Sequence, residues 1–249
     1  MSQPRLHHLL AQLYEHKDSL LLNECLNHSD YDAFKIQHGL EISSSDLQLV
    51  FTHTSFSHEF NVPHQEQLEF LGDAVLQLLL TEEIFARYSS HKEGQLSKLR
   101  SALVNEKTLA TIASHLKLGE LLLVGKGEFK KKLFEQESVL ADTLEALLAA
   151  IYRQHGFSFT KKLFLEWLNN SFTNALSWDF IEEFDAKSKL QELSLAKYKK
   201  LPRYSSENHA EKFLVQLWIN DQMLASGIFP SKKMGEKELA SEIIKKGLI

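Results

Sequence analysis

The stretch 138–155, SVLADTLEALLAAIYRQH, limits what this chain can fold into more than any other. It is rich in Ala and Leu and so strongly helix-forming. Within LADTLEALLAAIY, every residue apart from Asp142, Thr143 and Glu145 is apolar or Tyr. A helix apolar all round must be enclosed by other elements. Asp142 and Glu145 go inside with it, and two buried carboxylates are costly without a cation. The rest of the chain must therefore supply a shell around this helix and a positive partner for its acids.

The shell reads as helical. Leu47, Val50 and Phe51 begin one apolar stripe. Residues 65–88, QEQLEFLGDAVLQLLLTEEIFARY, form a long helical run, and 95–116 another, with Leu96, Leu99, Leu103 and Leu109 on a shared face. Residues 160–176 close the series. No segment here longer than five residues alternates with period two, and 10 Gly and 4 Pro in 249 residues do not suit a turn-rich β protein. Residues 1–33 read as a helical, amphipathic N-terminal extension with Leu6, Leu9, Leu10 and Leu13 at helix spacing.

Beyond Trp178 the texture changes. AKSKLQELSLAK, 186–197, is a short helix, and an extended region starts at Pro202 and Tyr204. Phe213, Val215, Leu217 and Ile219 alternate with Leu214, Gln216 and Trp218, which is a strand signal. Asn220-Asp221 marks a hairpin, Met223 to Ile228 returns, and Ser231 is placed to cap a last helix. The expected organisation is an extension over 1–33, an all-α domain over 34–177 and a small α+β (α-β-β-β-α) domain over 185–249, joined near 178–186.

Charge divides along the same line. Residues 185–249 carry 12 Lys and Arg against 8 Asp and Glu, whereas residues 1–184 carry 16 against 25. The net charge of −5 thus hides a basic tail behind an acidic body, the arrangement of a polyanion-binding module attached to something that uses carboxylates. A single Cys rules out an internal disulfide and a Cys-based zinc cage, and a cytoplasmic location is expected. No apolar run approaches the ~18 residues of a membrane helix, and the N-terminus lacks a secretory core.

The acidic body holds a second set of carboxylates. Glu66, Glu69 and Asp73 lie at i, i+3 and i+7, within about 60° on one helix face. Nothing basic between Gln65 and Arg87 relieves their repulsion. If this face meets Asp142 and Glu145, the site suits a hard divalent ion, Mg²⁺ or Mn²⁺, since its ligands are all oxygen. Glu69 and Asp73 are about 6 Å apart along the axis, while Glu66 is about 10 Å from Asp73. One ion could then take Glu69, Asp73, Asp142 and Glu145, with Glu66 at the margin. The alternative is ordinary solvated helix faces.

The string QEQLEFLGDAVL closely resembles the ribonuclease III signature, roughly NERLEFLGDAVL. ESVLADTLEALLAAIY resembles that family's second acidic block, and LVNEKTLATIASHLKLGELLLVG the stretch between the two. FDAKSKLQE resembles the start of the double-stranded-RNA-binding domain of bacterial members. The resemblance implies that Glu69, Asp73, Asp142 and Glu145 are metal ligands, with Asp73 and Glu145 catalytic. It also implies that Glu66 and Glu93 help position RNA or catalysis. The implied reaction is Mg²⁺-dependent hydrolysis of double-stranded RNA, with Mn²⁺ able to substitute, leaving 5′-phosphate and 3′-hydroxyl ends. Ribosomal and other structured precursor RNAs are the implied substrates. The implied assembly is a homodimer whose surface includes the apolar face of Phe70, Leu71 and Leu76. In the tail, Gln191, Glu192, His209, Lys232 and Lys233 match RNA-contact positions, and such domains read A-form shape with little sequence discrimination.

Some positions depart from the family pattern. Gln65 and Gln67 stand for Asn and Arg, and Ala149 for a common Gly. Glu207-Asn208 replaces Gly-Pro before His209, and Glu236 sits where a third basic residue is frequent. Gly235, Glu238 and Leu239 occupy frequent Ala positions. These changes spare the ligand positions but bear on the strength of RNA binding. The competing readings are a non-catalytic dsRNA-binding or ribosome-associated protein on the same fold, and an unrelated helical metalloprotein. Gly125-Lys126-Gly127 lacks the Ser/Thr and spacing of a phosphate loop, so no nucleotide cofactor is expected. His53, His58 and His64 read as polar packing, and Cys25 has no nucleophilic context.

Overall fold

A computed structural model describes residues 5–177, 186–209 and 212–249. The chain divides into two compact units, one ending at Ala175 and the other beginning at Leu176. The joint expected near 178–186 lies outside the described residues apart from Ala186.

The first unit is helical. Its elements are α1 (Arg5–His16), α2 (Ser19–Leu26), α3 (Ser29–His38), α4 (Ser44–Val50), α5 (Thr54–Phe60), α6 (Glu66–Arg87), α7 (Glu93–Val104), α8 (Glu106–His115), α9 (Lys126–Lys130) and α10 (Glu137–Ser171). Two 3₁₀ turns, Leu118–Leu121 and Leu133–Glu135, flank α9. The apolar helix that demanded enclosure is the first half of α10, where Leu144, Leu147, Leu148 and Ile151 are fully buried. Helices α6 and α8 pack along it. Gly156, at φ 75, kinks α10, and the second half then buries Thr160, Phe164, Trp167 and Leu168.

Three sequence readings change. The run 95–116 is two helices, because Asn105 leaves the helical region at φ −72, ψ 152 and its side chain accepts the Thr108 N–H. The same amide donates to Thr108 Oγ1, so the break is a built cap. The 160–176 helix stops at Ser171. The face of Phe70, Leu71 and Leu76 is not one surface: Phe70 is 84% exposed and Leu76 fully buried. Leu71, next to Phe70, is half-buried.

The contact that positions everything else is between α6 and α10. A Cβ placed on Gly72 would meet the Glu145 carbonyl oxygen at 1.9 Å and its carbon at 2.4 Å. Neither atom is a flexible side-chain end, so only glycine permits this approach.

The second unit comprises α11 (Ala186–Tyr198), β1 (Arg203–His209), β2 (Lys212–Ile219), β3 (Gln222–Phe229) and α12 (Lys232–Lys245). The antiparallel sheet has the order β1-β2-β3. Asn220 and Asp221 both adopt positive φ, 50 and 64, and pair Ile219 with Gln222 across a two-residue hairpin. Val215, Leu217 and Ile219 point at Ala186, Leu190, Leu239, Ala240 and Ile243, which is the core the alternation demanded. Gly235 stands where Ala is common because the Phe229 ring and Val215 methyl would lie 2.5–2.6 Å from a Cβ there.

Gly72→Ala is expected to lower stability by about 3 kcal/mol, the upper end for overpacking, as read from urea unfolding. A loss below about 1 kcal/mol would mean that α6 and α10 do not touch at this point.

Candidate functional site

Packing Gly72 against Glu145 turns the acidic face of α6 toward the first turns of α10. One carboxylate oxygen from each of Glu69, Asp142 and Glu145 lies within 4.8 Å of the others. Oxygens around a Mg²⁺ ion at octahedral distances are about 3–4 Å apart, so small side-chain adjustments would let the three share one ion. All three are half-buried. Asp73 is exposed and lies outside this trio, its Oδ1 accepting the Gln77 amide at 3.4 Å. Among charged neighbours it is nevertheless the one that most affects Glu145.

Burial is the main cause that raises the Glu145 carboxyl, followed by the charges of Asp73, Asp142 and Glu69, and together they push it up to about 8. Burial, then Asp142 and Glu66, raise Glu69. Burial, then Glu106, raises Asp142. Among the described residues no Lys, Arg or His is ion-paired with the trio. The arrangement lacks positive charge, and its all-oxygen donors fit a hard divalent cation.

Two buried polar residues tie the helices together at this level. Gln65, 2% exposed, donates its backbone N–H to Thr52 O at 3.0 Å. Its Oε1 lies 3.4 Å from the Thr143 hydroxyl, which donates to Val139 O at 2.7 Å. Neither Gln65, Thr143, Gly72 nor Glu106 stood out in the sequence as part of the site. Glu106 gave no signal because it belongs to another helix, and Thr143 read only as the polar exception in an apolar run.

The other expected residues are spread out. Glu66 is exposed, with His64 Nδ1 3.7 Å from its carboxylate. Glu93 opens α7, accepts the Ser97 hydroxyl at 2.8 Å and rims a cavity lined by Thr81, Phe85 and Arg100, apart from the carboxylate trio. His53 caps α5, accepting the Ser55 N–H at 3.1 Å, while His58 is exposed. Burial pushes the Cys25 thiol up to about 12, which makes it inert.

In the second unit Lys232 and Lys233 are the exposed first residues of α12, behind the Ser231 cap. Gln191 is half-buried and Glu192 exposed on α11. His209 is the exposed last residue of β1, paired with Lys212. Glu236 is neutralised by Lys187, whose Nζ lies 2.5 Å from its carboxylate. The same ammonium sits 5.0 Å from the centre of the Tyr204 ring.

The family model described as Ribonuclease-III-like matches residues 44–172. Ribonuclease 3 of Pseudothermotoga lettingae is 38% identical over 205 residues, spanning 78% of this chain and 85% of that relative. Ribonuclease 3 of Campylobacter jejuni strain RM1221 is 36% identical over 220 residues, spanning 85% and 96%. Among solved structures, a nuclease domain of ribonuclease III from Campylobacter jejuni is 38% identical with a TM-score of 0.54, covering 57% of this chain and 96% of that one. Another from the same organism, described for flexibility in a region involved in dimer formation, is 39% identical with a TM-score of 0.53 and covers 56% and 96%.

The Glu145 shift has a measurable sign. Folded protein keeps the proton up to about pH 8, whereas an ordinary Glu, at 4.5, has lost it. The stability this group contributes is fully present below its unfolded value and lost as pH rises through the folded one. In EDTA, Glu145→Gln is expected to melt near wild type at about pH 5 and above it at about pH 8.5. A Tm difference that does not change with pH would contradict the placement.

Proposed function

The chain belongs to the ribonuclease III family and is an endoribonuclease of that type; from this premise we propose that it hydrolyses double-stranded RNA with Mg²⁺ held by Glu69, Asp142 and Glu145, joined by Asp73. The observation that carries this reading is the convergence of three half-buried carboxylates that, among the described residues, have no Lys, Arg or His ion-paired with them. When bound, the ion supplies Lewis-acid polarisation of the phosphate and activation of water. The protein's part is electrostatic and geometric. Glu145 must give up its proton to become a ligand, and Asp73, at the exposed edge, faces the incoming phosphate. Left without a cation, these acids would repel the RNA backbone, which makes the ion obligatory. Glu66, beside the trio, and Glu93, at its separate cavity, help position the RNA. The products carry 5′-phosphate and 3′-hydroxyl ends, and the substrates are ribosomal and other structured precursor RNAs in the cytoplasm. Mn²⁺ replaces Mg²⁺.

Residues 34–177 act in this reading as the nuclease domain and 185–249 as the double-stranded-RNA-binding domain, with 1–33 as an extension. Lys232 and Lys233 clamp phosphate, helped by the N–H groups at the start of α12. Gln191, Glu192 and His209 complete the duplex contact. Dimerisation is supported by Phe70, Leu78 and Phe85, which are 84%, 59% and 67% exposed and fall on one face of α6. Among the described residues no helix is long and apolar enough to cross a membrane.

Wild type is expected to cut long double-stranded RNA in Mg²⁺ and to stop in EDTA, and Glu145→Gln to bind the duplex in a gel shift without cutting it. Failure of wild type to cut at low salt would favour a binding protein instead. Lys232→Ala with Lys233→Ala is expected to weaken binding of all duplexes alike and to reduce the slope of log K against log salt by about two. A sequence-selective loss would contradict shape readout.

A further inference from the structure

The family model begins at residue 44, well after α1, yet α1 is built into the first unit. Leu6, Leu10 and Leu13 have no exposed surface. Three polar contacts join this helix to a segment more than a hundred residues later. The His7 ring donates from Nε2 to Gly119 O at 3.1 Å and packs against Phe134, with centroids 4.2 Å apart. The Tyr14 hydroxyl donates to Val124 O. Lys126 Nζ donates to Tyr14 O at 2.9 Å, in the last turn of α1, where carbonyls lack helical partners and the helix dipole favours a cation.

The segment held in this way is bonded on its other side to the end of α4 and to α5, which precede α6. Leu123 N–H donates to Phe51 O at 2.8 Å, and His53 N–H to Leu123 O at 3.0 Å. Gly125 N–H donates to Ser55 Oγ at 2.8 Å, and Lys126 N–H to Glu59 Oε2 at 2.9 Å. Between Phe51 and His53, Thr52 O accepts the N–H of Gln65 at 3.0 Å. Thr52, Gln65, Leu123 and Val124 are all buried. A buried series of contacts therefore runs from α1 to the residue immediately before α6, one turn from Glu69.

We propose that α1 is a positioning element for the carboxylate site, acting through His7 and Tyr14 on the 119–124 segment, and through Thr52 and Gln65 on the placement of Glu69 against Asp142 and Glu145. The inference rests on the metal-dependent reading above. Helix α1 has, among the described residues, no hydrogen bond or ion pair to Glu69, Asp142 or Glu145. Its effect is on how closely the three oxygens are held to one ion, and groups that support metal ligands from outside commonly govern affinity as well as orientation.

The test uses the full chain with Mn²⁺ as probe, its binding followed by electron paramagnetic resonance. The double variant His7→Phe with Tyr14→Phe keeps both rings and removes both donors. At a temperature where circular dichroism reports it folded, it is expected to bind Mn²⁺ about tenfold more weakly. Its kcat for double-stranded RNA at limiting Mg²⁺ should fall while KM for the RNA stays put. A purely structural role would lower Tm and leave Mn²⁺ affinity alone, so a folded variant with wild-type affinity would overturn the proposal. Should the pair not fold, Tyr14→Phe alone, with about threefold weakening expected, decides the matter by the same comparison. Glu145→Gln is measured alongside. If it too leaves Mn²⁺ binding unchanged, the metal-site reading fails rather than the positioning role.

Discussion

Gly72 lets the backbones of α6 and α10 meet, and the like charges gathered there should push them apart. Two full charges at 4.8 Å repel by about 3–4 kcal/mol at an effective dielectric constant near 20. Against this stand Val75, Leu76, Leu79 and Leu80 on α6 and Leu144, Leu147, Leu148 and Ile151 on α10, all buried. Each contributes about 1.5–3 kcal/mol on leaving water. Apolar packing therefore decides the helix spacing, and the carboxylates are carried into contact by it. The site is a strained consequence of a well-packed interface.

That strain falls unevenly, which gives the acids different parts. Asp73 is exposed, so water screens it. Glu145 is surrounded by three other acids and half-buried, so it bears the largest shift. A proton relieves it in the absence of metal, and a divalent ion relieves all of them at once. In the proposed reading proton and metal compete for the same oxygens, and metal binding would release a proton near neutral pH. Asp142 is pressed by Glu106 from α8 as well, so the third helix packed on α10 adds to the demand for positive charge.

Much of this was legible in the chain. The spacing of Glu66, Glu69 and Asp73 put them on one face, and the apolar setting of Asp142 and Glu145 required a cation. Alternation from Phe213 to Ile219 gave β2, and Asn220-Asp221 gave the hairpin, because local chemistry settles both. What could not be read were facts about pairs of elements. Periodicity runs straight through Asn105, since a cap changes backbone direction without changing the apolar pattern. Gly72 looks like any helical glycine until the carbonyl of Glu145 lies against it. Leu71 and Leu76 were grouped with Phe70 by apolarity, but which of them meets solvent depends on where α10 sits. Helix α1 read as amphipathic, and nothing in its sequence pointed to Gly119, Val124 or Lys126 as its partners.

The two units solve opposite electrostatic problems. In the proposed reading the acidic body must hold a polyanion near a cluster of carboxylates, and one bound cation would offset its charge only locally, since screening at physiological salt acts over about 8 Å. Affinity for the duplex must therefore come mostly from the basic tail. There, however, Lys187 is committed to Glu236, and Glu236 lies one turn beyond Lys232 and Lys233 on the same helix. In that reading Lys232 and Lys233 are the exposed cations placed at the start of α12, and the fewer phosphates a module contacts, the less its affinity depends on salt. Shape-reading attachment of moderate strength would suit an endonuclease that must release its products, because a tail that gripped any duplex tightly would hold the cut ends as firmly as the substrate.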